Sequence, residues 1–354
     1  MKDVYIFSTD PSSVQGGIST SVATILIGLN SRGVSTKVFT THYPSQKKPA
    51  NSVSFLLSLI HLIFDLTKVK LQGRQLPIIY LHVGPAGSLI RKLIIAYISY
   101  FLGANVFAHH HSPVFERYLA EGNLYGRLLI KLCKISKENL VLSDWWANLY
   151  RLHGISNIRT VPNSIPIPEK YSHLTCVDKG KKIFSIGRLV KEKNIHLVIE
   201  SLPYLPNVSK LIIAGDGPAR NELSNLAIQL GVSKKVDFLG WVDAMQKKDL
   251  YRAVDLTVVP SEYDSFGMVF IESLSFGCPV VTGPNPPVKA ALDGLAGVFT
   301  ASAYTASDTV CAIEHALTET VNRHQISESC LSVYSTDAIS DKLISALGLS
   351  DTQN

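Results

Sequence analysis

Cysteine is scarce in this chain. Five occur in 354 residues, at Cys133, Cys176, Cys278, Cys311 and Cys330, and none stands in a Cys-x-x-Cys pair. That spacing argues against a zinc ribbon or a disulfide-stapled mini-domain and fits reduced thiols in a cytoplasmic protein. No unbroken run of 18 apolar residues occurs either, so no spanning helix is expected. Residues 1–9 combine a charged start with a short strand pattern rather than a signal peptide. A short-period repeat is also missing, which argues against a solenoid. What remains is ordinary globular composition, 46% hydrophobic and 18% charged, in a length that suggests about two domains.

Charge is unevenly spread. Residues 1–170 hold 18 Lys and Arg against 8 Asp and Glu, whereas residues 171–354 hold 16 against 20. A first half at +10 suggests an anionic partner, but no nucleic-acid recognition motif accompanies it, so none is expected. A membrane surface suits it better. Residues 53–71 are very apolar with a basic end, Arg91 and Lys92 precede the apolar run 93–102, and Arg127, Lys131, Lys134 and Lys137 recur at helical spacing. Such stretches could lie on anionic lipid, or simply pack as core helices.

Strand and helix patterns alternate along the chain. Apolar runs at 4–7, 36–40, 78–82, 105–108, 139–142 and 158–161 read as strands with helical patterns between them. Pro162, Pro166 and Pro168 then lead into a polar stretch up to Gly180. A second alternation follows, with strands at 182–186, 210–214, 236–239, 256–259 and 280–282 and helices at 194–204, 219–230, 246–253 and 268–276. The grammar implies an α/β protein with two doubly wound parallel sheets. Its expected parts are a first domain over 1–168, a linker over 169–180, a second domain over 181–334, and a terminal helix and tail over 335–354.

Pro260-Ser261-Glu262-Tyr263-Asp264-Ser265-Phe266-Gly267, followed by Glu272, is the most informative stretch. It leaves a buried strand and enters a helix, at the carboxyl edge where ligands bind in open α/β sheets. Gly267 lets backbone N–H groups approach an anion, and a helix start favours negative charge. Asp264 in the loop and Glu272 on the helix would face opposite ends of one ligand.

This segment resembles the signature of the retaining GT-B glycosyltransferases of group 1, or family 4, written Pro-Ser-x-x-Glu-x-Phe-Gly with a second Glu eight positions after the first. Asp264 stands where the first Glu is usual, and Glu272 at the second. Glu262 lies ten positions before Glu272, out of register. Gly187-Arg188-Leu189-Val190-Lys191-Glu192-Lys193-Asn194 resembles the family's Gly-Arg-Leu-x-x-x-Lys-Gly element, with Asn194 in place of Gly. The resemblance implies that Arg188 and Lys193 clamp the donor diphosphate, whose charge grows as the glycosidic bond breaks.

Weaker elements follow in the family's order. Gly215-Asp216-Gly217-Pro218 matches a turn that shapes the nucleotide cleft, although a structural turn explains it equally well. Phe238 and Leu239 sit in a Val-x-Phe-x-Gly element whose backbone meets the base. Gly16 and Gly17 precede a helix start and resemble the family's Gly-Gly loop. His109-His110-His111 ends a strand; His109 and His111 share one face and His110 takes the other. His111 best matches the family's histidine and would orient the sugar or the acceptor. A metal site is the competing reading of the three histidines, disfavoured because no further ligand lies at useful local spacing. Asn163 and Ser164 match a Pro-Asn-Gly turn, and Ser143 reads as a helix N-cap.

Together these motifs span nearly the whole chain. The resemblance implies two Rossmann-like domains facing a central cleft, with a terminal helix crossing back to the first. It implies transfer of a sugar from a UDP- or GDP-sugar to a hydroxyl with retention, Glu272 holding the ribose, and Asp264 with the Phe266–Gly267 backbone holding the sugar. It implies neither cofactor nor metal, and the chain has no Asp-x-Asp triplet. The expected acceptor is a lipid-linked oligosaccharide of a surface polysaccharide, met at the inner membrane face. The alternatives are a sugar-nucleotide epimerase of the same fold or a silent interaction subunit.

Overall fold

The computed structural model describes residues 3–9, 17–42, 48–167, 180–320 and 322–349. The chain divides into two units, Met1–Pro166 with Tyr334–Asn354, and Ile167–Val333.

The first unit holds six parallel strands: β1 (Val4–Thr9), β2 (Thr36–His42), β3 (Ile78–Val83), β4 (Val106–His110), β5 (Glu138–Val141) and β6 (Ile158–Thr160). Their spatial order is β2-β1-β3-β4-β5-β6, so the winding reverses between β1 and β3. Both β3 and β4 are buried along their whole length, as central parallel strands covered on two faces must be. The unusual feature is what they bury, since His82, His109 and His110 lie inside that apolar run.

Helix Gly17–Ser31 follows β1, and helices Lys48–Leu71, Gly87–Leu102 and Leu124–Ile135 belong to the crossovers after β2, β3 and β4. Those later crossovers step in the opposite direction, so right-handed winding places their helices on the other face. The terminal helix Thr336–Leu347 packs on Gly17–Ser31. Gly28 permits that approach, because a β-carbon there would lie 1.7 Å from the Ser340 hydroxyl. Arg32 binds Asp341 at 2.7 Å and Asp337 at 3.3 Å across the same contact. Asn163 and Ser164 serve this helix too: Ser21 donates to Asn163 Oδ1 at 2.8 Å, and Ser164 donates to Thr24 at 2.8 Å.

The second unit repeats the plan with β7 (Lys181–Ile186), β8 (Val208–Ala214), β9 (Val236–Gly240), β10 (Leu256–Val259), β11 (Val280–Thr282) and β12 (Val298–Thr300). The order is β12-β11-β10-β7-β8-β9, all parallel, with the reversal between β7 and β10. Phe184, Ala214, Tyr251, Val254 and Cys278 form one core cluster beneath it. Truncating a buried aromatic such as Phe184 to Ala would cost about 3–5 kcal/mol.

Three local expectations need amending. The helix expected over 194–204 is a short α-helix, Ile195–Ser201, continued by a 3-10 turn over Leu202–Tyr204. Pro203 lacks the N–H that an α-helix would use there. Ser143 occupies an N-cap position, but its side chain makes no cap bond and its hydroxyl has no partner among the described residues. The third concerns apolar length: Ser52–Leu71 is long and apolar enough to cross a membrane by length and composition. Scattered Ser, His, Asp and Thr hide it from a search for unbroken apolar runs. Here it lies along the sheet, with Leu62 and Leu66 fully buried and Lys37 of β2 paired to Asp65.

Candidate active site

The switch between β7 and β10 is where an open α/β sheet offers a ligand crevice, because neighbouring loops leave in opposite directions. Arg188 and Lys193 follow β7, and Asp264 follows β10. Lys193 Nζ bonds Asp264 Oδ2 at 2.8 Å, both side chains being partly buried. Asp264 Oδ1 accepts the backbone N–H groups of Gly267 at 2.9 Å and Phe266 at 3.2 Å. Burial alone would raise the Asp264 pKa, yet Lys193 and the two amide donors hold it below the usual carboxylate value.

This amends one expectation. The Phe266 and Gly267 amides are engaged by the chain's own carboxylate, so Asp264 fixes the loop and the lysine together. The arrangement explains why a short acid fits there. Aspartate reaches amides two and three residues ahead, as in an Asx turn. Gly267 itself has φ 78° and begins the Met268–Ser275 helix; a β-carbon would come within 2.6 Å of the Phe270 ring.

Asn194, standing where the family has Gly, has φ 53°. That left-handed region admits Gly freely and Asn next best, which accounts for the exchange. Its amide also donates to Pro260 O at 3.1 Å, and Glu262 N donates to Glu192 O at 2.9 Å. The loops after β7 and β10 are thus stapled to each other. Arg188 is exposed, and its guanidinium has no ion-pair partner among the described residues.

The Gly215-x-Gly217 turn has a structural cause. A β-carbon on Gly215 would lie 1.9 Å from Gly187 O, and one on Gly217 would lie 2.4 Å from Leu189 O. Leu189 N donates to Asp216 O at 3.0 Å, and Gly215 N donates to Gly240 O at 2.6 Å. These glycines let the turn after β8 press against the Arg188 loop and the end of β9. Phe238 is half-buried under the Arg220 guanidinium, 5.6 Å from its ring centre, while Leu239 is exposed.

Glu272 stands on the Met268–Ser275 helix. Its Oε2 accepts from Lys247 Nζ at 2.7 Å and from the Tyr251 hydroxyl at 3.2 Å. Both donors come from the Ala244–Ala253 helix, one turn apart, and neither was singled out by sequence. The i, i+4 spacing on one helix was their only signal. Burial, reinforced by Glu272, drives the Tyr251 hydroxyl well above its usual pKa, so it stays a donor.

In the first unit, Gly16 lies outside the described residues and Gly17 is the first residue of its helix. The histidines divide as strand alternation requires. His110 donates to Asn139 Oδ1 at 3.0 Å on one face. On the other, His109 Nε2 meets Val161 O at 2.8 Å and Nδ1 meets the Tyr80 hydroxyl at 2.7 Å. A carbonyl only accepts, so Nε2 carries the proton and Tyr80 donates to Nδ1. Burial pushes His109 down to about 3 and His110 to about 4. His111 Nε2 lies 2.9 Å from His82 Nδ1, and burial holds both rings well below the usual value.

His82 is the residue that sequence spacing missed. It sits 27 positions away, yet parallel register pairs it with His109. Ring nitrogens of His82, His109 and His111 lie within 4.8 Å of one another. His109 already uses both nitrogens, on Tyr80 and Val161, and His82 and His111 are bonded to each other, which makes the three a poor donor set for a metal. Lys92 is 1% exposed and donates to Thr41 at 2.6 Å; burial, then Arg91, brings its pKa down to about 7.

A separate cavity of about 1050 Å³ opens at the amino edge of the second sheet, lined by Lys182, Asn207, Asp255 and Cys311 among others. It touches none of the motif residues.

Residues 169–330, nearly all of the second unit, match the family described as Glycosyl transferases group 1. The second unit is thus similar to the group 1 glycosyltransferases. The lipopolysaccharide core biosynthesis glycosyltransferase LpsE of Rhizobium meliloti is 41% identical over 100 residues, covering 28% of this chain and 28% of LpsE. The alpha-monoglucosyldiacylglycerol synthase of Streptococcus pneumoniae is 31% identical over 167 residues, covering 46% of this chain and 37% of that protein. The chain therefore spans about a third of the length of the curated relatives it matches. Across the whole chain, the structure of HepE from Anabaena in complex with UDP and glucose superposes with a TM-score of 0.73 at 16% identity, covering 99% of this chain and all of HepE. At that identity the likeness shows the fold, which is GT-B.

Proposed function

We propose that this protein is a retaining glycosyltransferase that moves a sugar from a UDP- or GDP-sugar to a hydroxyl of a lipid-linked acceptor in surface polysaccharide synthesis, as a peripheral protein of the cytoplasmic membrane face. The observation that carries the reading is the pair of cations at the β7/β10 switch. Lys193 is fixed by Asp264, and Arg188 stands exposed beside it in sequence on the same loop. In the reaction, the bond between the anomeric carbon and the diphosphate breaks, and a bond to the acceptor oxygen forms on the same face. The departing diphosphate takes the electron pair and the acceptor proton. Lys193, fixed by Asp264, and the exposed Arg188 stabilise that developing charge, the work a metal does elsewhere, so the reading includes no metal. Glu272, whose Oε2 takes Lys247 and Tyr251, would hold the ribose hydroxyls through Oε1. His111, neutral and buttressed by His82, orients a sugar or acceptor hydroxyl without titrating.

UDP in the HepE structure supports a uridine donor, and the names of LpsE and the pneumococcal synthase support a lipid acceptor. The test is incubation with a panel of UDP- and GDP-sugars and membrane lipid extract, with products read by mass spectrometry and anomeric NMR. One donor should yield a glycosylated lipid with the donor's anomeric configuration. An inverted product would remove retention, and epimerised donor formed without acceptor would replace transfer altogether.

A further inference from the structure

The first unit carries an apolar face that its own core does not use. On helix Lys48–Leu71, Val53, Leu56, Leu57, Ile60, Ile63 and Phe64 are all exposed, with Phe64 at 64%. At 100° per residue they fall within an arc of about 120°, roughly 17 Å long. The opposite side of the helix is anchored: Leu62 and Leu66 are fully buried, and the Ser58 hydroxyl donates to Thr40 O at 3.2 Å. The neighbouring helix Gly87–Leu102 extends the face with exposed Ile90, Ile94 and Phe101, the last at 77%. Lys70 ties the two together by donating to Leu102 O at 3.1 Å. Scattered exposed apolar residues are normal, but a stripe continuous over two packed helices marks an interaction surface.

The border of this face is cationic. Lys68 and Lys70 close the first helix, and Arg127, Lys131 and Lys134 line the exposed side of helix Leu124–Ile135, which packs on Gly87–Leu102. Across the three helices there is one acid, Asp65, and it is paired with Lys37. A second copy docked face to face would oppose like charges, which is costly. An anionic lipid surface meets both properties at once.

We infer that these three helices form a bilayer-docking surface, the Val53–Phe64 stripe lying in the headgroup–acyl boundary and the lysines and arginines contacting lipid phosphates. The helix lies on the membrane and does not cross it, because crossing would strip Leu62, Leu66 and Asp65 from the sheet. The inference rests on the proposed lipid-linked acceptor for its purpose. Its test uses neither donor nor acceptor, so it can fail while sugar transfer stands, and the reverse.

The full chain is floated with vesicles of phosphatidylcholine alone or mixed with phosphatidylglycerol, at low and high salt. Recovery should be high only with the anionic vesicles. It should fall at least tenfold for a Leu56→Glu/Phe64→Glu double variant, and Lys131→Glu/Lys134→Glu should remove most of the salt dependence. Melting curves check that the variants fold. Independently of any loss of folding, Phe64→Trp should add a blue-shifted emission when anionic vesicles are supplied. No flotation by the parent, undiminished flotation by Leu56→Glu/Phe64→Glu, or no spectral shift for Phe64→Trp would overturn the proposal. So would light scattering that shows a parent dimer dissolved by Leu56→Glu/Phe64→Glu.

Discussion

The carboxyl edges of the two sheets are built on opposite electrostatic plans. In the second unit the edge is charged and partly open, with Arg188 exposed, Lys193 locked to Asp264, and Glu272 held by Lys247 and Tyr251. In the first, the described residues of the edge bury four histidines that burial keeps neutral, with Tyr80 bonded to His109, His82 to His111 and His110 to Asn139. On the proposed function, one Rossmann-like plan would serve two tasks. In the proposed reaction a leaving diphosphate needs cations where charge appears; Asp264 holds Lys193 in place, while Arg188 stays exposed. A hydroxyl needs only oriented hydrogen-bond partners, which burial keeps uncharged.

The comparison is broken most severely by removing the counter-charge in the second unit. Asp264→Asn keeps the size but releases Lys193, and turnover should fall about 100-fold or more, in the range of about 3 kcal/mol for one lost transition-state contact. Asp264→Glu restores the family's acid and should keep part of the activity. Circular dichroism would check folding in both. Equal turnover for Asn and Asp would mean that the charge is not needed there, and Glu262 would become the candidate.

A smaller effect sharpens the other side. Lys92 is buried in the first unit with its pKa lowered to about 7. Because the unfolded side chain holds its proton to about 10.4, unfolding takes up a proton between those values, and stability rises with pH through that window. The slope is at most about 1.4 kcal/mol per pH unit. Below about pH 7 the folded chain bears the full cost of a buried ammonium. Lys92→Met should therefore raise the denaturation midpoint at pH 7 and flatten the slope above it, as followed by urea unfolding. A slope unchanged by the substitution would show that the lysine is not the buried charge responsible.

Much of this was legible in sequence because parallel strands buried on both faces are continuous apolar runs. β12 was not read, since Val298–Thr300 follows a glycine turn and is only half-buried, without the apolar run that marked β11. The charged half was legible because Arg188, Lys193 and Asp264 lie in loops that leave strands, and Glu272 on the helix that one of those loops enters. Their partners were less so. Lys247 and Tyr251 belong to a different helix, and His82 meets His109 only through strand register. Asn194 looked like a departure until its positive φ showed that conformation, rather than residue identity, is what the position demands. Similarly, the apolar stripe of helix Lys48–Leu71 could be core or surface by periodicity alone; only burial separates the two.

The central claim is that the β7/β10 edge binds a nucleoside diphosphate through Arg188 and Lys193. Titration calorimetry of UDP and GDP against the parent, Arg188→Ala and Lys193→Ala tests it most directly. The account predicts that the preferred diphosphate binds the parent and is weakened at least tenfold by each substitution, about 1.4 kcal/mol, while the melting temperature of Arg188→Ala stays that of the parent. Unchanged affinity in both variants would contradict it.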